Sequence, residues 1–205
     1  MQEVSKAESR SEETDKRPKV LLGITGSVAA IKLEEMVQAL KLHFQVQVVV
    51  TDAARNFFEN RQTSCMDGIH VLGDKDEWNQ WQQKGDPVMH IDLRNWADIF
   101  LIAPLSANSL AKLACGLADN LLTCIFRAWD FQKPVVVAPA MNTLMWESVF
   151  TEKHLQTLRE LGVVVVPPVC KTLACGDVGL GAMAPVEEIV GVLVQGVTSQ
   201  WNRGP

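Results

Sequence analysis

Residues 19–43 read KVLLGITGSVAAIKLEEMVQALKLH. After Lys19 the next five, Val20–Ile24, are all apolar or glycine, too continuous for a half-exposed strand. A run of this kind suits a strand buried on both faces, as in a parallel sheet. Gly26 and Ser27 then interrupt it, and from Val28 onward apolar residues recur at helical spacing. Strand, small-residue turn and helix together predict the first unit of an α/β fold.

The same unit recurs along the chain. VQVVVTD (46–52) reads as a second strand leading into AARNFFEN. DIFLIAPLSAN (98–108) is a third, followed by a helical stretch that breaks near Gly116. KPVVVAPAMN (133–142) is a fourth. TEKHLQTLRELG (151–162) is an amphipathic helix with Gly162 as its C-terminal stop. VVVVPP (163–168) is a fifth strand ended by two prolines, and PVEEIVGVLVQGVTSQW (185–201) is a closing helix with Pro185 near its start. Residues 63–90 read as irregular, and ACGDVGLGAM (174–183) as a glycine-rich segment with neither strand nor helix periodicity. The polar, mixed-charge residues 1–17 read as a disordered tail, and 18–205 as a single domain.

Composition narrows the function. The chain has 205 residues, 47% hydrophobic, with a formal net charge of −5. That argues against nucleic acid or an anionic membrane as partner. No apolar run reaches the roughly 18 residues of a membrane span. The five cysteines lack a C-x-x-C or zinc-type spacing, so we expect no metal and reduced thiols, hence a cytoplasmic protein.

Open α/β sheets bind ligands beyond the carboxyl ends of their strands. Gly26 and Ser27 follow the first strand, Thr51 the second, Ser106, Asn108 and Ser109 the third, and Ala140 to Asn142 the fourth. Each serine turn alone reads as a helix cap; two together favour a phosphate at helix N-termini. Neither G-x-G-x-x-G nor a P-loop is present, which points to a mononucleotide. His90 suits proton transfer, or equally a hydrogen-bonded structural role. The Asn142 amide can hold a carboxylate or cap the next helix. Cys175, off any apolar face and beside Asp177, reads as an accessible, protonated thiol, better suited to donating a proton than to attacking.

GSVAA, HIDLRNWAD, APLSAN, DNLL, PAMNTLMW and ACGDVGLGAM occur in this order. Together they resemble the flavin-dependent cysteine decarboxylases, and among them the eukaryotic phosphopantothenoylcysteine decarboxylases of coenzyme A biosynthesis. The resemblance spans about residues 18–195. It implies a three-layer flavodoxin-like Rossmann fold, bound FMN, and a homotrimer with FMN near the subunit contact. It implies FMN contacts at Gly26, Ser27, Val28, Thr51, Ser106, Ala107, Asn108, Ser109 and Ala140. His90 falls on the family's base, Cys175 on its proton donor and Asn142 on its carboxylate ligand. Met145, Lys171, Ala174 and Met183 fall on substrate contacts, in or beside a glycine-rich clamp. Thr172 departs from the family, which is basic at that position. The implied reaction decarboxylates 4'-phosphopantothenoylcysteine to 4'-phosphopantetheine through a thioaldehyde and an enethiolate. Two other roles on this fold are flavin prenyl transfer and phosphatase inhibition by a flavin-binding regulatory subunit.

Overall fold

A computed structural model describes residues 16–58, 69, 71–172 and 178–201. Six strands form one parallel sheet: β1 (Lys19–Ile24), β2 (Gln45–Val50), β3 (Val71–Leu72), β4 (Ile99–Leu105), β5 (Val135–Pro139) and β6 (Val164–Val165). Their spatial order is β3-β2-β1-β4-β5-β6. The chain therefore winds outward from β1 to β3, crosses back, and winds outward again from β4 to β6. The point of reversal lies between β1 and β4, where such sheets open a cleft at their carboxyl ends.

Both faces of the central strands are buried, as their unbroken apolar runs require. Val20, Leu22 and Ile24 of β1 face one layer together with Val48, Leu101 and Ala138. That layer holds the 3₁₀ turn Val28–Lys32, helix α1 (Leu33–Lys41) and the C-terminal helix α9 (Val186–Trp201). Leu33, Met36, Val37 and Leu40 form the buried stripe of α1, at the spacing of one helical face. Leu21, Phe100, Ile102 and Val137 point the other way. They meet α4 (Met89–Trp96), α5 (Ala107–Ala114), α6 (Leu121–Arg127) and α8 (Val149–Glu160). Gly23 lets α6 approach: a Cβ there would come within 2.9 Å of Leu122 Cδ1. The result is the three-layer flavodoxin-like architecture expected from the sequence.

Pro104 sits inside β4, a central strand. Proline cannot donate to a ladder and survives there at an irregularity; the β4–β5 register shifts between Ile102 and Leu105. Gly162, at φ 83°, stops α8 as its position in the sequence predicts.

Three parts differ from the sequence reading. The helix after Ser27 starts with a 3₁₀ turn before becoming α1. Residues 63–90 are not wholly irregular: β3 extends the sheet, and α3 (Asp74–Gln80) follows it. Asp76 accepts a hydrogen bond from Gly73 N at 2.8 Å, which fixes the start of α3. The third difference is an antiparallel hairpin, β7 (Val169–Thr172) with β8 (Val178–Ala182), formed in part by the glycine-rich segment.

Phe100 is fully buried in β4, and its ring packs on Trp129 with centroids 5.2 Å apart. Replacing Phe100 with alanine should cost about 3–5 kcal/mol, read as a lower denaturation midpoint in urea.

Candidate active site

Thr25 ties the β1 and β4 turns together. It is fully buried, and its hydroxyl donates to the Pro104 carbonyl at 2.8 Å. The same oxygen accepts from Ser106 N at 2.7 Å, and Thr25 N donates to Pro104 O at 3.2 Å. Neighbouring turns join this frame: Thr51 N bonds Ile24 O at 3.0 Å, and Ala140 N bonds Leu105 O at 3.0 Å. Gly26 is pressed onto the β2 turn, where a Cβ would lie 2.6 Å from that of Ala53. Thus Gly26, Thr51, Ser106 and Ala140 come from four strands to one edge. The sequence reading took Gly26 and Ser27 from this turn and passed over Thr25, whose role depends on a partner 81 residues away.

Ser106 caps α5, its Oγ accepting from Ser109 N at 3.3 Å and donating to Ser109 Oγ at 3.2 Å. Ser27 caps the 3₁₀ turn through Ala29 N at a long 3.4 Å. Both serines are therefore caps, and both turns still direct backbone N–H groups toward the cleft. Val28 and Asn108 are exposed beside them, and Ala107 is half-buried. The Thr51 hydroxyl is buried without a hydrogen-bond partner in the structure.

The β5 turn connects this frame to the hairpin. Next to Ala140, Met141 N donates to Gly181 O at 2.9 Å. Asn142 caps the short helix α7 (Thr143–Trp146), its Oδ1 accepting from Leu144 N at 2.8 Å. Glycines of β8 are needed for contact here. A Cβ on Gly179 would lie 2.3 Å from Thr143 Oγ1, and one on Gly181, at φ 149°, 2.3 Å from Met141 O. These two glycines fit the hairpin base against the P-A-M-N turn, a packing role that the glycine-rich composition alone does not show. Met145 and Lys171 are exposed. Met183 is buried, in the core cluster that includes α1 and α9. Ala174 and Cys175 lie outside the described residues.

His90 occupies a second part of the carboxyl edge. It opens α4, which runs down into β4, so its N-terminal end lies on the ligand side of the sheet. Glu77 of α3 meets it, with Oε1 2.5 Å from Nδ1. A cavity of about 500 Å³ surrounds the pair, walled by Trp78, Trp81, Asp74, Asp119 and Cys124 among others. Asp74 reaches across to accept from Leu121 N at 2.7 Å, pinning α3 to the start of α6. Burial raises its carboxyl above the ordinary range, against that hydrogen bond. Lys112, hydrogen-bonded to Asp119, holds that carboxyl low. Burial, then Glu77, Asp74 and Asp119, push the Cys124 thiol upward and keep it protonated. None of the strand-end turn residues lines this cavity. Among the described residues no cluster of His, Cys, Asp and Glu could hold a metal ion, and no helix is long and apolar enough to cross a membrane.

The family model described as Flavoprotein matches residues 8–198. The chain belongs to this family. Named relatives agree with that placement. The flavoprotein is 53% identical over 171 residues to a phosphopantothenoylcysteine decarboxylase of Arabidopsis thaliana, covering 83% of this chain and 81% of the relative. It is 48% identical over 188 residues to the mouse protein of the same name, covering 91% and 90%. Two solved structures share its fold. One, the FMN binding protein AtHal3, has a TM-score of 0.83 at 50% identity, covering 90% of this chain and 98% of that one. The other, a PPC decarboxylase mutant complexed with pantothenoylaminoethenethiol, has a TM-score of 0.81 at 48% identity, covering 91% and 100%.

The strand-end turns of this flavoprotein fit FMN. The two serine-capped turns offer backbone donors to a phosphate, Gly26 leaves no side chain between them, and the unpartnered Thr51 hydroxyl awaits a polar ligand atom. Thr51→Val should therefore leave the apo protein's melting temperature within a degree or two, because no internal hydrogen bond is lost. FMN affinity, titrated by quenching of flavin fluorescence, should fall roughly tenfold, the worth of one ordinary hydrogen bond.

Proposed function

We propose that this flavoprotein is a carboxy-lyase that uses FMN to decarboxylate 4'-phosphopantothenoylcysteine to 4'-phosphopantetheine in coenzyme A biosynthesis. One observation carries the reading: four consecutive residues, Pro139–Asn142, connect the flavin turns to the hairpin. Ala140 bonds the backbone just before Ser106, and Met141 bonds the hairpin at Gly181. A ligand held against this turn would lie between the flavin site and the hairpin. The names of the relatives support the substrate.

FMN, when bound, supplies a reversible two-electron couple at the carbon bearing the substrate thiol, giving the electrons of the breaking carboxylate bond a sink. Asn142 and Met145 flank the place where the substrate carboxylate would sit, with Asn142 held in position by its cap on α7. Lys171, on the outer part of the hairpin, is placed to meet an anion. His90 accepts the proton released at the first step, for which a neutral imidazole is suited near neutral pH. Cys175 returns a proton to carbon at the end of the cycle. Its protonated form is the useful one, in keeping with Asp177 beside it in the sequence. The thioaldehyde and enethiolate named above are the intermediates this assignment requires.

The same proposal includes a homotrimer with FMN near the subunit contact. Leu144, Met145, Val149 and Phe150 are exposed by 50–78% at the carboxyl edge, an apolar surface suited to burial between subunits. Light scattering on the purified protein should give three times the chain mass; a monomer would remove this part.

CO2 release from phosphopantothenoylcysteine tests the chemistry. His90→Asn should retain yellow FMN and lose turnover by at least a hundredfold. Cys175→Ser should still release CO2 while accumulating the unsaturated thiol in place of the saturated product. Wild-type turnover in His90→Asn, or full conversion by Cys175→Ser, would remove the corresponding role.

A further inference from the structure

The base assignment leaves one buried carboxylate unused. Glu77 has only 13% of its side chain exposed, yet it is paired with His90 at 2.5 Å. Its position is well determined: α3 is fixed at its start by the Asp76 cap on Gly73, and at its flank by Asp74 holding Leu121 N. The contact is to Nδ1, not Nε2. A carboxylate facing a ring nitrogen accepts a proton from it, so the neutral imidazole keeps its hydrogen on Nδ1.

We infer that Glu77 is a positioning residue for decarboxylation, fixing the His90 tautomer so that Nε2 presents the basic lone pair. This rests on His90 being the base. In the resting state Nδ1–H donates to Glu77 and Nε2 is bare. When Nε2 accepts the substrate proton, the imidazolium forms beside a carboxylate that offsets its charge, and Glu77 itself stays ionised. The logic is that of the buried carboxylate behind the histidine of a serine hydrolase, without the serine. Other ionisable groups in the cavity have different partners or states. Asp119 is bound to Lys112, Asp74 holds the α6 backbone, and the Cys124 thiol is protonated. Glu77 is the carboxylate that touches the ring.

No sequence pattern marks this pair. The two residues are 13 apart, in a stretch read as irregular, and they meet only because α3 and α4 fold side by side.

FMN-loaded wild type, Glu77→Gln and His90→Asn, labelled with ¹⁵N-histidine, provide the test. The resonance lost in His90→Asn identifies the ring. In wild type its neutral form should be the Nδ1–H tautomer. In the near-isosteric Glu77→Gln the ring should no longer hold that single tautomer, because a side-chain amide can donate as well as accept. With it kcat should drop at least tenfold, and KM should stay within about twofold. A bare Nδ1 in wild type overturns the inference. So does a Glu77→Gln protein whose ring keeps the wild-type tautomer, even if its rate falls, since a merely structural loss does not move the ring proton. If His90→Asn turns over normally the base assignment itself fails, whatever tautomer Glu77→Gln shows.

Discussion

A single buried hydroxyl ties together the turns at the carboxyl edge of the sheet. Thr25 Oγ1 donates to Pro104 O and accepts from Ser106 N, and Thr25 N also donates to Pro104 O, so the turn after β1 and the turn after β4 cannot separate without stranding four buried polar groups. Each such group costs on the order of 1–3 kcal/mol when left unpaired. That is a large fraction of a domain's net stability. Pro104 makes the arrangement possible. Because the chain leaves regular pairing around this residue, its carbonyl can serve Thr25 instead of a neighbouring strand. What looks like a defect in a central strand is the attachment point for the opposite lip of the cleft.

From that frame the rest of the edge is assembled by short links. Thr51 and Ala140 are joined to it by backbone hydrogen bonds, Met141 extends it to the hairpin, and Asn142 starts α7. Backbone hydrogen bonds thus connect the strand-end turns to the hairpin, an arrangement suited to a site whose parts must hold their spacing. His90 is supported separately, by α3, α4 and α6, in an acidic cavity. The carboxyl edge thus has two differently built halves: one of backbone donors and small residues, the other of carboxylates around an imidazole.

Sequence alone showed the fold where a long run had one meaning. The apolar strands β1, β4 and β5 could only be buried on both faces, and Gly162 could only end a helix. It failed where elements were short. β3 has two residues and no periodicity to detect, and α3 is a polar helix whose start rests on an Asp76–Gly73 contact. The site divided the same way. Gly26, Ser106 and Asn142 announce themselves by type and place, at strand ends. Thr25 and Glu77 do not, because a threonine or glutamate acquires its meaning from what it touches, and those partners are set by topology.

The placement of α9 has a consequence for how the molecule comes into being. Ile189, Val190 and Leu193 cover the same apolar layer as Leu22 and α1, so a helix made late covers a strand made early. Strand β1 also lacks one neighbour until β4 has been synthesised. During translation the part of the sheet around β1 must therefore carry an incompletely covered apolar surface until α9 leaves the ribosome. A chain cut short before α9 would retain every flavin-turn residue named above and still lack the cover for its own core, the situation in which nascent α/β proteins aggregate or require chaperones.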